Sequence, residues 1–539
     1  MKHALLSPPF RAVSATVLAL GLLAPGMGTA SAKTLVYCAE ASPEGFDPAP
    51  YSGGPTLDAA GTTIYSRLVE FKKGTTEVRP GLAESWDVSA DGLTYTFHLH
   101  KGVKFQTTEW FKPTRDMNAT DVVFSFKRQG DKTNPWFAYA GGSWEYYEGM
   151  DMPTLVKDIV AVDDLTVKFT LTKPNAPMLA NLAMQFASIV SKEYADKLEA
   201  AKAMADFNQK PVGTGPFQLV SYQKDAVIRY AANPSYYAGK RPIDSLIFAI
   251  TPDASVRYQK LKAGECHVMA YPNPADIAAM KTDSSIKVMQ APGLNVGYLA
   301  YNTMMAPFDK PEVRKALNMA IDKQAIINAV FQGAGQAATN PIPPTMWSYN
   351  KAVADDTYDP TAAKKMLEAA GVTNLSMKIW AMPVQRPYNP NARRMAELMQ
   401  ADFAKVGVKV EIVSYDWAEY LKKSKDKARD GALLLGWSGD NGDPDNFLSV
   451  LLGCSGVGGS NRANWCDKTF DDLVQKASTV SNQAERAKLY EQAQVRFKDQ
   501  APWVTVAHST VTEGLSPKVQ GHVIDALARH LFDEDDIAP

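Results

Sequence analysis

Asp440 and Arg386 are the two residues whose chemistry could combine at one site. Asp440 lies in residues 431–445, GALLLGWSGDNGDPD. Residues 432–435 form an apolar run without alternation, the pattern of a strand buried on both faces. The run ends at Gly436-Trp437-Ser438-Gly439, so Asp440 is expected at a strand end beside an indole, with Asp443 and Asp445 just beyond. Arg386 follows a second expected strand, residues 377–382, in the loop Gln385-Arg386-Pro387-Tyr388-Asn389-Pro390. In open α/β sheets, ligands meet the carboxyl ends of strands. A guanidinium pairs a carboxylate through two parallel hydrogen bonds, and a carboxylate takes an ammonium. A ligand carrying both groups on a short apolar backbone is a zwitterion, such as an amino acid or a small peptide. A structural ion pair between the two residues, or two unrelated surface charges, fits the spacing equally well.

The surrounding elements read as an α/β chain. Residues 33–38 suit a first strand, and residues 42–55 a long loop holding Ser52-Gly53-Gly54. A helix is expected over 60–71. Asp91-Gly92 is a hairpin signal, and residues 93–105 alternate as a half-buried strand with His98 and His100 on its polar face. Asn118 is a helix cap, and residues 159–171 form a second hairpin. Residues 246–250 and 254–263 make a strand–helix step closed by Gly264. From residue 294 to 445 strands and helices alternate, with caps at Asp322 and at Asp359-Pro360.

A chain of 539 residues that is 45% apolar and 21% charged is long enough for two or three packed units. The net charge of −1 and the absence of a basic block exclude a nucleic-acid-binding surface. Residues 1–32 have the layout of an export signal. Lys2 and Arg11 precede or flank an apolar core at 12–23, and Ala30-Ser31-Ala32 is the cleavage site. The protein is therefore expected to be soluble and periplasmic. Four cysteines, Cys38, Cys266, Cys454 and Cys466, favour disulfides in that compartment over a metal site. Of three possible pairings, the one closing the shortest loop joins Cys454 to Cys466 and leaves Cys38 to Cys266. No nucleophile elbow, H-E-x-x-H or C-x-x-C is present, and Asp440–Asp445 departs from calcium-loop spacing. An enzyme is not expected, nor a cofactor or metal.

Longer blocks carry a resemblance. KTLVYCAEASPEGFDP (33–48), GTGPFQL (213–219), ITPDASVRYQKL (250–261), PGLNVGYLAYN (292–302), AMPVQRPYNPNARRMAE (381–397) and GDNGDPDNF (439–447) are among those spread over nearly the whole mature chain. With them the sequence resembles the family-5 extracellular solute-binding proteins, in particular the dipeptide carriers of ABC-type permeases. The resemblance implies a two-lobed clamshell of the type II, cluster C kind with an extra N-terminal subdomain. It implies lobe I at 33–292, lobe II at 293–510 and a return to lobe I at 511–539, with hinge crossings near Pro292–Gly293 and His508–Thr510. It assigns the peptide ammonium to Asp440 and the carboxylate to Arg386. Further contacts fall at Ser52, Gly53, Trp437, Ser438 and Gly439, and the four cysteines match two disulfides in the pairing above. The implied partners are a dipeptide, inner-membrane ABC permease subunits and a chemoreceptor, with the carrier a monomer. Haem or longer peptides are alternative cargoes, and an exported peptidase is the alternative of another class.

Overall fold

The computed structural model describes residues 32–525 and 527–538, so the expected export signal lies, but for Ala32, outside the described residues. The longest strand, Trp503–Leu515, is rich in Val and Thr, and nearly every residue in it is buried. Such β-branched residues lose little freedom in an extended chain and pack well on both faces of a sheet. This strand is the spine of a twelve-stranded sheet. Its first half pairs antiparallel with Asn295–Tyr301 and Gly335–Ala337. Its second half pairs with Lys287–Pro292 and Val268–Ala270.

Each half of the spine therefore belongs to a different group of strands. Beyond Asn295–Tyr301 come Ala432–Ser438, Ser376–Trp380 and Lys409–Val413. Beyond Val268–Ala270 come Thr34–Ala39, Ser245–Ile250, Val227–Ala232 and Phe217–Gln223. The two segments that cross between the groups lie side by side. Pro292 pairs with Thr510, and Gly293 N–H donates to Ser509 O at 3.0 Å. Asn295 fixes this crossing from its side chain, accepting from Ser509 N at 2.9 Å and donating to Ser509 O at 3.3 Å.

A separate four-stranded antiparallel sheet holds Ala83–Val88, Thr94–Leu99, Thr166–Leu171 and Val156–Asp163. Tyr95, Phe97 and Leu99 are its buried face, while His98 and His100 point outward beside Asp87 and Glu84, at 2.9 and 3.7 Å. The expected caps at Asn118, Asp322 and Asp359 each accept a backbone N–H in the first turn of their helices.

Two sequence expectations change. The helix expected over 60–71 instead runs through Gly54–Thr56 and Leu57–Gly61, and Val69–Phe71 is a strand paired with Val78–Pro80. Pro55, the second residue of that helix, helps start it early. The spine strand alternates only in fragments, at Val504-Thr505-Val506 and Thr510-Val511-Thr512, because both of its faces are buried, and it was not among the expected strands.

Cys454 and Cys466 form one disulfide, with their Cα atoms 4.6 Å apart, and Cys38 and Cys266 form the other at 5.8 Å. The second ties Thr34–Ala39 to the segment entering its neighbour Val268–Ala270. The first closes a loop of 12 residues' separation. In the chain-entropy model, opening such a loop costs about 3 kcal/mol. The double variant Cys454→Ser/Cys466→Ser is expected to lose roughly that much in urea unfolding, and an unchanged midpoint would show that the loop is held by its other contacts.

Candidate functional site

Ala432–Ser438 ends at the cavity, and a tight turn brings in the helix Asp445–Leu452. Asn446, in the first turn of that helix, reaches back over the turn. Its Oδ1 accepts from Asp440 N–H at 2.8 Å and from Trp437 Nε1–H at 3.0 Å, and its Nδ2 donates to Asp440 Oδ2 at 3.0 Å. The Asp440 backbone, its carboxylate and the indole are thus fixed by one amide. The other carboxylate oxygen, Oδ1, accepts from the Tyr146 hydroxyl at 2.7 Å. Tyr146 comes from the short helix Glu145–Gly149, nearly 300 residues away in sequence at a separation of 294.

No cation is paired with Asp440 among the described residues. Burial is the largest influence on its carboxyl and raises it to about 7, although the hydrogen bonds from Tyr146, Asn446 and Trp437 work against that rise. Part of the carboxylate surface still opens onto the cavity.

Arg386 is held at the other side. Its loop closes through paired backbone hydrogen bonds with Asn389, at 3.1 and 3.0 Å. Ser509 of the spine strand donates its hydroxyl to Pro387 O at 2.6 Å. Two glycines let this loop lie flat on the sheet. A Cβ at Gly297 would meet Tyr388 O at 2.4 Å, and one at Gly436 would meet the Tyr388 ring at 2.2 Å. The Arg386 guanidinium stacks over Trp417, 5.2 Å from the ring centre, and has one long contact to Glu40 at 3.4 Å.

Between these ends lies a cavity of about 140 Å³. Ser52, Gly53, Arg386, Trp437, Ser438 and Asp440 all line it. Gly439 does not. It packs behind, where a Cβ would meet the Phe447 ring at 2.8 Å, and its N–H donates to Leu294 O at 2.6 Å. Ser52 donates its hydroxyl to Glu145 at 2.9 Å. Burial pushes the Glu145 carboxyl up, but Lys425 at 3.5 Å and Arg462 at 3.8 Å outweigh it and hold the group below its usual range.

These contacts join the Asp440 side of the cavity to short helices from the segment that carries the four-stranded sheet. Asn441 Nδ2 likewise donates to Asn181 Oδ1 at 2.7 Å. The arrangement can bind an ammonium at Asp440 and a carboxylate at Arg386, with Trp437, Tyr298 and Tyr388 as apolar walls between. Sequence reasoning missed Tyr146, Glu145, Arg462 and Asn446. Asn446 stands six residues after Asp440 in the same block, so its role was within local reach. Trp144-Glu145-Tyr146-Tyr147-Glu148 carries acids among aromatics but no spacing that marks a site.

Three comparisons bear on this arrangement. The profile of the family described as "Bacterial extracellular solute-binding proteins, family 5 Middle" matches residues 77–459. A dipeptide-binding protein of Escherichia coli (strain K12) is 56% identical, over 96% of this chain and 97% of that protein. Heme-binding protein A of Haemophilus influenzae is 51% identical, over 92% and 90%. Among solved structures, the dipeptide binding protein from Pseudoalteromonas sp. SM9913 in complex with Met-Leu superimposes with a TM-score of 0.90. It is 39% identical, with 94% of this chain and 100% of that one covered.

A carboxyl raised from 3.8 to about 7 on folding binds a proton that the unfolded chain has already lost. Asp440 therefore makes the ligand-free protein less stable as pH rises through that window. His522 and His530, held up to about 9 by acidic partners although burial opposes them, act with the same sign at higher pH, because the folded state keeps protons the unfolded chain releases. The comparison with Asp440→Asn isolates the aspartate. The fall in melting temperature of the ligand-free protein between pH 5 and pH 7.5 should be smaller in the variant, and superimposable profiles would show that Asp440 ionises normally.

Proposed function

The chain belongs to family 5 of the bacterial extracellular solute-binding proteins, and on that premise we propose that it is an exported carrier that captures dipeptides by their charged ends and delivers them to an ABC-type permease. The observation that supports this most is the unpaired charge of Asp440, at the far side of one cavity from Arg386. A buried carboxylate without a counter-ion is costly. A peptide ammonium supplies the missing charge, lowers the carboxyl again and so is bound as the ionised pair. The peptide carboxylate takes Arg386, whose single 3.4 Å contact to Glu40 leaves its donors free for a bidentate partner.

Fixing both termini sets ligand length, because each added residue extends a chain by at most about 3.3–3.6 Å. Ser52, Gly53, Trp437 and Ser438 supply the polar and backbone surface along the ligand, and Gly439 only supports the turn behind them. The family is two-lobed and consists of binding proteins, not enzymes. In this reading, lobe I spans 33–292 with the return at 511–539, and lobe II spans 293–510. The hinge is the paired crossing at Gly293 and Ser509, and closure brings Tyr146 onto Asp440. The leader is removed after Ala32, and the carrier works in the periplasm as a monomer. A chemoreceptor is a second partner for the closed form.

Calorimetric titration of the ligand-stripped mature protein tests this. Ala-Ala should bind tightly, and N-acetyl-Ala-Ala or Ala-Ala-amide should bind weakly. Asp440→Ala and Arg386→Ala should each weaken Ala-Ala by roughly 30-fold or more, since losing one partner of a buried charge pair costs about 2 kcal/mol or more. Equal affinity for free and blocked peptides, or tight haem binding with no response to Ala-Ala, would overturn the dipeptide reading. Turnover of the peptide would replace it with a hydrolase.

A further inference from the structure

A second cavity opens beside the first at Arg386. It holds about 200 Å³ and shares Gly53, Arg386, Trp417 and Leu421 with the first, so the two are continuous around the guanidinium. Most of its wall is apolar, from Pro55, Pro252, Pro383 and Val384 together with Trp417 and Leu421. Two carboxylates interrupt that wall, Glu40 and Glu44.

The two acids are differently placed. Glu40 is the long-range partner of Arg386 at 3.4 Å and also accepts weakly from the Tyr37 hydroxyl at 3.5 Å. Glu44 has its backbone N–H fixed by Thr56 Oγ1 at 2.8 Å, but among the described residues no hydrogen bond or ion pair reaches its carboxylate. That carboxylate lies against the Gly53 backbone, where a Cβ would come within 2.5 Å of Oε1. Gly53 lines both cavities, so Glu44 stands at the junction between them. Glu44 keeps an exposed edge, but the protein around it and the nearby Glu145 raise its carboxyl, and Arg386 and Lys425 only partly oppose this.

We propose that the second cavity receives the side chain of the ligand's C-terminal residue and selects a long aliphatic chain ending in a cation, of the lysine or arginine type. This rests on the dipeptide reading above. With the ligand carboxylate on Arg386, the last Cα is about one residue's length away, since residues repeat every 3.3–3.6 Å or so. The last side chain then starts at the mouth of this cavity. Its methylene stem covers the apolar wall while the charged head turns to Glu44 at the edge of that wall, the way long basic side chains lie along apolar surfaces elsewhere. Charge points the same way. A bound peptide adds a third carboxylate beside Glu40 and Glu44, against the Arg386 guanidinium and the more distant Lys425. A cation at the end of the last side chain offsets that excess, and an acidic side chain adds to it. The N-terminal side chain, at the Asp440 end, gains nothing from either glutamate.

The test uses calorimetric titration of the stripped mature protein with Ala-Ala, Ala-Lys, Ala-norleucine, Ala-Glu and Lys-Ala. Norleucine matches the lysine stem without its ammonium. Ala-Lys is expected to bind about two- to fivefold more tightly than Ala-norleucine, the range of a partly solvated ion pair, and Ala-Glu should be the weakest. In Glu44→Gln the ratio of Ala-Lys to Ala-norleucine should fall towards one. Both ligands are read on the same variant, so any loss of folded protein cancels. Ala-norleucine equal to or tighter than Ala-Lys would overturn the proposal in favour of an apolar pocket. Lys-Ala tighter than Ala-Lys would overturn it by placing the cation preference at the other end, and so would a ratio untouched by Glu44→Gln. Failure of Ala-Ala to bind marks the separate case in which the dipeptide reading fails, and the inference falls with it.

Discussion

An acid buried without a cation is the constraint around which the site is built. Asp440 is fixed by the Asn446 amide from the helix that follows it and by the Tyr146 phenol from a helix distant in sequence, and neither neutralises it. Both stabilise the charged form, yet burial wins and the carboxyl rises to about 7. The protein thus holds a group that is poor at staying charged alone and good at staying charged with a cationic guest. In the proposed reading, affinity for an ammonium and intolerance of its absence come from the same burial. Satisfying Asp440 with a lysine of the protein's own would make a sturdier molecule that binds nothing there.

The same logic runs through the other contacts made across the cavity from the segment that carries the four-stranded sheet. Tyr146 to Asp440, Asn441 to Asn181 and Glu145 to Lys425 and Arg462 are polar and few. Polar contacts of this kind exchange with water at little net cost, so they orient the closed arrangement without locking it. The paired crossing at Gly293 and Ser509 is different. Gly293, Asn295, Ser509 and Thr510 are held by backbone pairing and by a buried side-chain amide. Ser509 also anchors the loop that carries Arg386. The crossing and the Arg386 side of the cavity are therefore mechanically connected.

Much of this was legible in the sequence, and the residues explain why. The run at Ala432–Leu435 fixes a fully buried strand, so the residues just past it have to emerge at a strand end, and Asp440 does. Arg386 was found by the same rule. The helix caps were legible because they are local, with donor and acceptor two or three residues apart. What escaped was long-range or aperiodic. Tyr146 meets Asp440 only after folding, and Glu40 and Glu44 reach Arg386 from the other end of the chain. The spine strand escaped because burial on both faces breaks up the alternation that marks a half-exposed strand. The early helix at Gly54–Gly61 was displaced by a proline, whose effect on the first turn outweighed a stripe of apolar residues further on.

The place of Trp503–Leu515 in the chain has a consequence for how the molecule is made. This strand is translated almost last, yet it lies in the middle of the sheet and completes both strand groups at once. Neither group has its central neighbour until the final tenth of the chain has been synthesised. Contacts so distant in sequence form slowly, and unpaired strand edges invite association while they wait. A chain with this order of assembly is suited to crossing a membrane before it has acquired a stable fold. The proposed export and the late-closing architecture are compatible aspects of one topology.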